Sequence, residues 1–236
     1  KKVKTAVLTE SQKDFTFFDF GESEAAFSAA PVIYTTGGVL DNYQPGSVTD
    51  IVEHRGRVML ATPTEFVRYS KPIQQGFSTG YPLPAFVIDV PGDSANITAV
   101  ESGMNFLAIF TRDAVFAVAG DGPNAIGQGA FAQPALVANG QGAVPGSAHL
   151  SHAFGVFYQA DRGIYLLTPN AQVQYVGAAV EDTVGTKTIK SIDVFDHNNE
   201  IRFLLQPDSG NSVVCCFNTF YKLWSVWQLH ETIVDQ

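Results

Sequence analysis

The side chains best suited to chemistry are five histidines (His54, His149, His152, His197 and His230), two adjacent cysteines (Cys215 and Cys216), an acidic and amide-rich stretch over 193–200, and a glycine-rich stretch over 120–129. His149 and His152 stand three apart on a predicted strand, an odd separation that sends them to opposite faces, so they do not share a zinc ion. Asp193, Asp196, Asn198, Asn199 and Glu200 offer oxygen ligands, but their spacing misses the EF-hand pattern and its central glycine. Asp196-His197-Asn198-Asn199 reads instead as a hairpin turn, because Asp and Asn tolerate left-handed backbone. The glycine-rich stretch lacks the Lys-Ser/Thr pair and the following helix of a phosphate cradle, and reads as a long loop leaving a strand. Neighbouring cysteines on a strand point apart, so two reduced thiols and folding in a reducing cytoplasm are expected, with no disulfide. The Asp box of sialidase-like propellers, Ser-x-Asp-x-Gly-x-x-Trp, does not occur. The expectation is a protein that is not an enzyme and carries no cofactor and no metal.

One arrangement of acids stands out. Glu53, Glu101, Ser151 and Asp196 each lie five residues before the apolar residues Val58, Phe106, Val156 and Ile201. If those four apolar residues open equivalent strands, Glu53, Glu101 and Asp196 occupy matching places near the ends of the strands before them. Two readings stand side by side. The carboxylates line or rim a shared channel, where repulsion raises their pKa values and a cation or water bridges them. Or each is a solvated acid beside a turn.

The elements that position these residues are strands. Short apolar runs, such as 57–61, 105–110, 163–167 and 201–205, recur every eight to twelve residues between turn residues, an all-β signature. Only residues 22–30 have the pattern of a short helix. The strand openings at Val58, Phe106, Val156 and Ile201 are 48, 50 and 45 residues apart. Each interval reads as four strands: 49–54, 97–102, 148–153 and 189–196 first, and 65–70, 114–119, 164–168 and 212–218 third. The fourth strands are expected at 85–90, 131–138, 173–180 and 222–229. Four antiparallel strands in about 45–50 residues is the size of a propeller blade. The expected fold class is therefore all-β and β-propeller-like. Residues 1–48 form an N-terminal segment with a partial blade or linker, and four blades follow at 49–96, 97–145, 146–188 and 189–231. A chain opening Lys1-Lys2 is expected to be processed or an excerpt of something longer. Leu60, Leu107, Ile109, Phe157, Tyr165, Leu166, Phe203, Leu205 and Trp224 are expected in the core.

Composition agrees with a packed domain: 45% of the 236 residues are apolar and 16% charged. The formal net charge of −9 argues against a phosphate-gripping or anionic-membrane surface, and no apolar run approaches a membrane span.

Several stretches resemble the tail tubular or nozzle proteins of short-tailed bacteriophages, which have propeller-like cores. They are Tyr34-Thr35-Thr36-Gly37-Gly38-Val39-Leu40-Asp41-Asn42 with Pro45, Val67-Arg68-Tyr69-Ser70-Lys71, and Phe116 through the 121–129 loop. Ala143-Val144-Pro145-Gly146-Ser147, Gly163-Ile164-Tyr165, Tyr175-Val176-Gly177 and Leu223-Trp224-Ser225-Val226-Trp227 continue the series. The resemblance spans about residues 34–227 and rests on the order of turn and strand punctuation. It implies a virion protein, assembled in the host bacterial cytoplasm, that forms a ring (a hexamer by resemblance) with copies of itself. Tail adaptor and fibre proteins would be its neighbours, and DNA would pass without specific binding, which an acidic conduit favours. An alternative role is a carbohydrate- or receptor-binding propeller at the tail tip, with Trp224, Trp227, Tyr158 and Tyr165 as stacking platforms.

Overall fold

The computed structural model describes residues 40, 42–64, 66–76, 79–82, 85–92, 96–207 and 210–228. The helix expected over 22–30, the first 39 residues of the N-terminal segment, Glu65, Leu229 and His230 lie outside them. The chain divides into two compact units, residues 1–41 and 42–236, and the elements named here belong to the second.

That unit contains four four-stranded antiparallel sheets, each strand pairing with the next along the chain. The first sheet runs β1 (Asp50–His54), β2 (Arg57–Ala61), β3 (Phe66–Tyr69) and β4 (Val87–Asp89). The second runs β5 (Ile97–Ser102), β6 (Leu107–Thr111), β7 (Ala114–Val118) and β8 (Ala135–Asn139). The third comprises β9 (Leu150–His152), β10 (Gly155–Ala160), β11 (Gly163–Leu167) and β12 (Val173–Tyr175). The fourth comprises β13 (Thr188–Phe195), β14 (Glu200–Gln206), β15 (Val213–Asn218) and β16 (Leu223–Gln228). No strand is shared between sheets, so the repeat is one of whole meanders.

Local chemistry explains where strands begin and end. Arg55 and Gly56 both take positive φ, which a two-residue hairpin between right-twisting strands requires. Gly155 opens β10 where a Cβ would strike the Leu167 carbonyl. The fourth strands are shorter than expected where the chain carries breakers. Pro134 delays the start of β8 to Ala135. Beyond Tyr175 the chain bends at Gly177 into a 3-10 turn (Ala178–Val180) and a single α turn, α1 (Glu181–Val184), so β12 stops early. Asp196–Asn198 form a 3-10 turn and Asn199 is left-handed, as the Asp/Asn content led one to expect.

The middle strands are buried along their whole length: β6, β10 and β11 show no exposed residue. In the third sheet, alternation assigns the two faces. Val156, Tyr158, Ala160, Tyr165 and Leu167 pack against Ala108, Phe110 and Val115 of the second sheet. Phe157, Ile164 and Leu166 pack against Ile201, Phe203, Leu205 and Cys215 of the fourth. Leu60, Leu107, Ile109, Phe157, Tyr165, Leu166, Phe203 and Leu205 are buried. Trp224, expected with them, is only half-buried, because β16 is the last strand of its sheet and covers the core from one side. Cys215 faces the third sheet while Cys216 pairs with Arg202 on the opposite face, and both thiols are free. Burial pushes the Cys215 thiol up to about 11.

Two substitutions test this packing. Phe203 is fully buried, with its ring 5.9 Å from Phe157 and 5.4 Å from Trp224. Phe203→Ala is expected to destabilise by about 3–5 kcal/mol in reversible urea unfolding, whereas Phe220→Ala, at an exposed site, changes stability by less than about 0.5 kcal/mol. Gln159, itself buried, donates to the Lys187 carbonyl (2.7 Å) and accepts from the Ile189 amide (2.8 Å). Gln159→Leu keeps the volume but orphans both backbone groups, and is expected to cost about 1–3 kcal/mol for each group left unpaired, read in the same assay.

Candidate functional site

The densest polar constellation lies where the first strands of three sheets meet. Asp50 opens β1, and β5 runs alongside it: the Val100 amide donates to Asp50 Oδ2 (2.8 Å), while Oδ1 accepts from Ile51 (2.8 Å). Glu101 sits on β5, its Oε1 accepting from the Ser102 amide (2.9 Å). His149, one residue before β9, places Nε2 3.3 Å from Asp50 Oδ2 and 3.5 Å from Glu101 Oε2. Its Nδ1 is buried without a partner among the described residues. All three side chains are at least four-fifths buried. Nearby, His54 Nδ1 and Ser102 Oγ share a hydrogen bond of 2.8 Å, and the Ser151 hydroxyl donates to the Ser102 carbonyl (2.6 Å). A cleft of about 550 Å³ opens beside this seam, touched by Thr49 and Asp50, Ile97 and Thr98, Ala148, and Lys190 of β13. The first strands of the first, second and fourth sheets, and the two residues before that of the third, thus reach one cleft.

The electrostatics follow from burial. Desolvation holds the Glu101 carboxyl above its usual range; the Asp50 charge adds to the rise, while His149 and the Ser102 amide oppose it. His54 moves the other way, lowered mainly by burial and then by Arg55. When protonated, His149 ion-pairs with both carboxylates and ties the first, second and third sheets at one point.

The three acids picked from the sequence are not gathered here. Glu101 meets Asp50 and His149. Glu53 occupies the matching hairpin position in the first sheet, but it lies on the exposed face with Ile51, opposite the face that meets β5, and its Oε1 accepts from the Gly56 amide (2.6 Å). Asp196 lies in the turn between β13 and β14. The fourth-sheet position that pairs as Glu53 and Glu101 do is Val194, opposite Ile201. Counting five residues back from Ile201 lands in the four-residue β13–β14 loop; the β5–β6 loop is equally long, but there the anchor Phe106 lies in the loop, two residues before Ala108, the partner of Glu101. Asp50 was not among the candidates, and His149 was weighed only with His152 as a zinc ligand; neither repeats in register, and only their place at or just before the start of a first strand marks them. Among the described residues no group of three or more His, Cys, Asp or Glu is arranged to hold a metal ion.

Two other motifs resolve into scaffolding. The 120–129 loop clasps the first sheet: Arg55 ion-pairs with Asp121, and Arg57 donates to the Asp121 (3.3 Å) and Pro123 carbonyls. The expectation that no Gly-x-Ser-x-Gly elbow occurs is corrected by the sequence itself, since Gly76-Phe77-Ser78-Thr79-Gly80 has that pattern. It falls between two antiparallel strands, β3 and β4, rather than at the strand-to-helix turn that the motif's chemistry needs, and Ser78 lies outside the described residues.

No family model matches the sequence, and no curated protein is similar to it. Among solved structures, the chain is similar to PorZ, an essential bacterial surface component of the type-IX secretion system of Porphyromonas gingivalis. The TM-score is 0.40 at 11% identity, over 84% of this chain and 29% of that one. The chain thus spans less than a third of the PorZ length, and a likeness this distant carries no argument about role. Among the described residues no helix is long and apolar enough to cross a membrane.

The seam makes a pH prediction. The pKa of Glu101 is raised on folding, so above both its folded and unfolded pKa values the charged carboxylate opposes folding. That opposition fades as pH falls through the folded value towards the unfolded one. Glu101→Gln is expected to gain stability relative to the parent at pH 7, and the gain should shrink steadily towards pH 4, as measured by urea unfolding across that range.

Proposed function

We propose that this chain is a structural subunit that works through protein–protein contacts, and that its setting is a bacteriophage tail. The observation that carries the reading is where its polar and apolar surfaces lie. The carboxylates of the first-strand seam accept from backbone amides and lie against His149, which supports a load of sheet-to-sheet joining, although His149 Nδ1 and His54 Nε2 are buried there without a partner among the described residues. Exposed large apolar side chains gather instead on the fourth sheet and its last hairpin: Phe195, Phe220, Tyr221, Leu223 and Trp227. Apolar exposure concentrated in this way marks a contact surface.

The propeller-like arrangement belongs to the same proposal. Its support is one cleft lined by the first strands of the first, second and fourth sheets and by the residues just before the first strand of the third, as expected where innermost strands of blades converge. The tail setting rests on the ordered resemblance described above, and the net charge of −9 suits a part past which DNA slides without being held. Adaptor, fibre and further tail subunits are the neighbours this role calls for.

The stacking-platform alternative is weakened by burial. Tyr158 and Tyr165 are core residues, and Trp224 donates its Nε1–H to the Val176 carbonyl (2.9 Å), which leaves Trp227 exposed by itself.

The purified chain is expected to show no turnover of sialoside or polysaccharide substrates, and to form assemblies of copies in electron micrographs. Turnover abolished by Glu101→Gln would replace this reading with an enzymatic one; glycan binding lost on Trp227→Ala would replace it with the receptor-binding one.

A further inference from the structure

Each sheet ends in a strand whose outer edge presents unpaired backbone groups, and proteins blunt such edges with short strands, charge or proline. Three of the four edges are blunted. β4 has three residues, ends in Asp89 and is followed by Pro91. β8 is preceded by Pro134 and ends at Asn139-Gly140. β12 has three residues and runs into Gly177 and a helical turn. β16 is longer than these and has no proline or glycine beside it among the described residues; Lys222, in the turn before it, is its one flanking charge there. Its six residues, Leu223-Trp224-Ser225-Val226-Trp227-Gln228, include no charge, proline or glycine, and among the described residues no strand pairs with its outer edge.

We propose that the outer edge of β16 is a self-association site whose occupant is β16 of a second copy, paired antiparallel about a twofold axis. This rests on the reading that the chain acts through protein contacts, and it names the partner. The occupant follows from the sequence of the strand. Trp224 turns towards the core between the third and fourth sheets, so Val226 and Gln228 share its face, while Leu223, Ser225 and Trp227 share the other. A twofold perpendicular to the sheet keeps faces matched only in registers that pair residues of the same parity. Registers centred on Ser225 and on Val226 each pair five residues of the strand, and the Ser225-centred one is favoured by the side chains it matches. It sets Leu223 opposite Trp227 and Trp224 opposite Val226, so that every aromatic meets an aliphatic, the kind of cross-strand pair that stabilises a sheet. Lys222 then faces Gln228, with no like charges opposed. The strand is complementary to itself.

The face beside this edge is built to remain in water until it is covered. The Arg202 guanidinium lies 3.9 Å from the Phe195 ring centroid and 4.7 Å from that of Trp227, and it donates to Glu200 Oε2 (3.0 Å and 3.2 Å). An antiparallel edge-to-edge contact is isologous and closes at two copies; a larger ring needs a second, heterologous surface.

Sedimentation of the full chain at micromolar concentration is expected to show a dimer. Leu223→Lys together with Trp227→Lys places the introduced lysines opposite each other across the twofold, and is expected to give a monomer with an unchanged far-ultraviolet circular dichroism spectrum. Cross-linking gives an independent readout. Ser225→Cys, made with Cys216→Ser because those two positions face each other within the sheet, is expected to form a disulfide-linked dimer under mild oxidation, while Gln228→Cys in the same background does not. The proposal is overturned by a dimer that the paired lysines leave intact, or by a dimeric Ser225→Cys chain that does not cross-link. It is also overturned by a monomeric parent chain; if the β16 amides of that monomer are protected from hydrogen exchange, the edge belongs to another segment of this chain. Assembly through some other surface overturns the β16 site and leaves the structural role standing, whereas substrate turnover removes the structural role itself.

Discussion

The fold depends on one constraint: its central strands are apolar on both faces. β6, β10 and β11 have no exposed residue, so a single sheet built on them exposes one apolar face whichever way it turns. Covering a large apolar side chain is worth about 1.5–3 kcal/mol, and the third sheet alone presents Phe157, Ile164 and Leu166 to one neighbour and Val156, Tyr158 and Leu167 to the other. Stacking is therefore obligatory. The same alternation makes register critical, because a slip of one residue would exchange the two sets. The hairpins guard against that slip: Arg55-Gly56 closes in two left-handed residues, and Gly155 fits where no side chain could.

Stacking creates a second requirement. Sheets pressed face to face bury polar groups at their margins, and those groups must find partners. Gln159 bonds to backbone groups at Lys187 and Ile189, Tyr158 donates to the Gln141 carbonyl (3.0 Å), and Trp224 reaches Val176. At the first strands the joining groups are ionisable: Asp50 and Glu101 accept from the Val100 and Ser102 amides and both lie against His149 Nε2. The glycine-rich loop performs the same task from outside, with its Asp121 and Pro123 held by Arg55 and Arg57. Apolar faces set which sheets touch, and these bonds set how they sit along the strands.

Much of the meander was legible because its signals are local. Strand runs, Gly and Asp/Asn turns and the spacing of Val58, Val156 and Ile201 all report on short-range geometry, and the sheets follow them. What crosses between sheets was not legible. Asp50 and His149 lie 99 residues apart in sequence and repeat in no register. Glu53 and Glu101 share a hairpin position yet face different surroundings, because a period of two says which residues share a face but not what covers it. Asp196 failed for a simpler reason: a count of residues before an anchor ignores the length of the turn between. Trp224 shows the same limit, since its pattern matched the core residues while its place on a final strand left one side open.

The polar seam and the last hairpin divide the labour between the two margins of a sheet. At the inner margin, strands of adjacent sheets come close enough for side chains to reach the next backbone, as Asp50 reaches Val100 and Ser151 reaches Ser102. Charges there are absorbed into the stack. At the outer margin no strand among the described residues pairs with the edges, and they are treated unequally. Short strands, Asp89 and Pro134 protect the first three sheets, whereas the fourth carries a long uncharged edge beside a face on which Arg202 lies between two aromatic rings. The arginine keeps that face hydrated without closing the edge, since a cation over the rings leaves the backbone groups of β16 untouched. A stack that needed only to bury its own core would gain nothing from an edge that is bare among the described residues, and this difference between its two margins is what the proposed contact with another chain rests on.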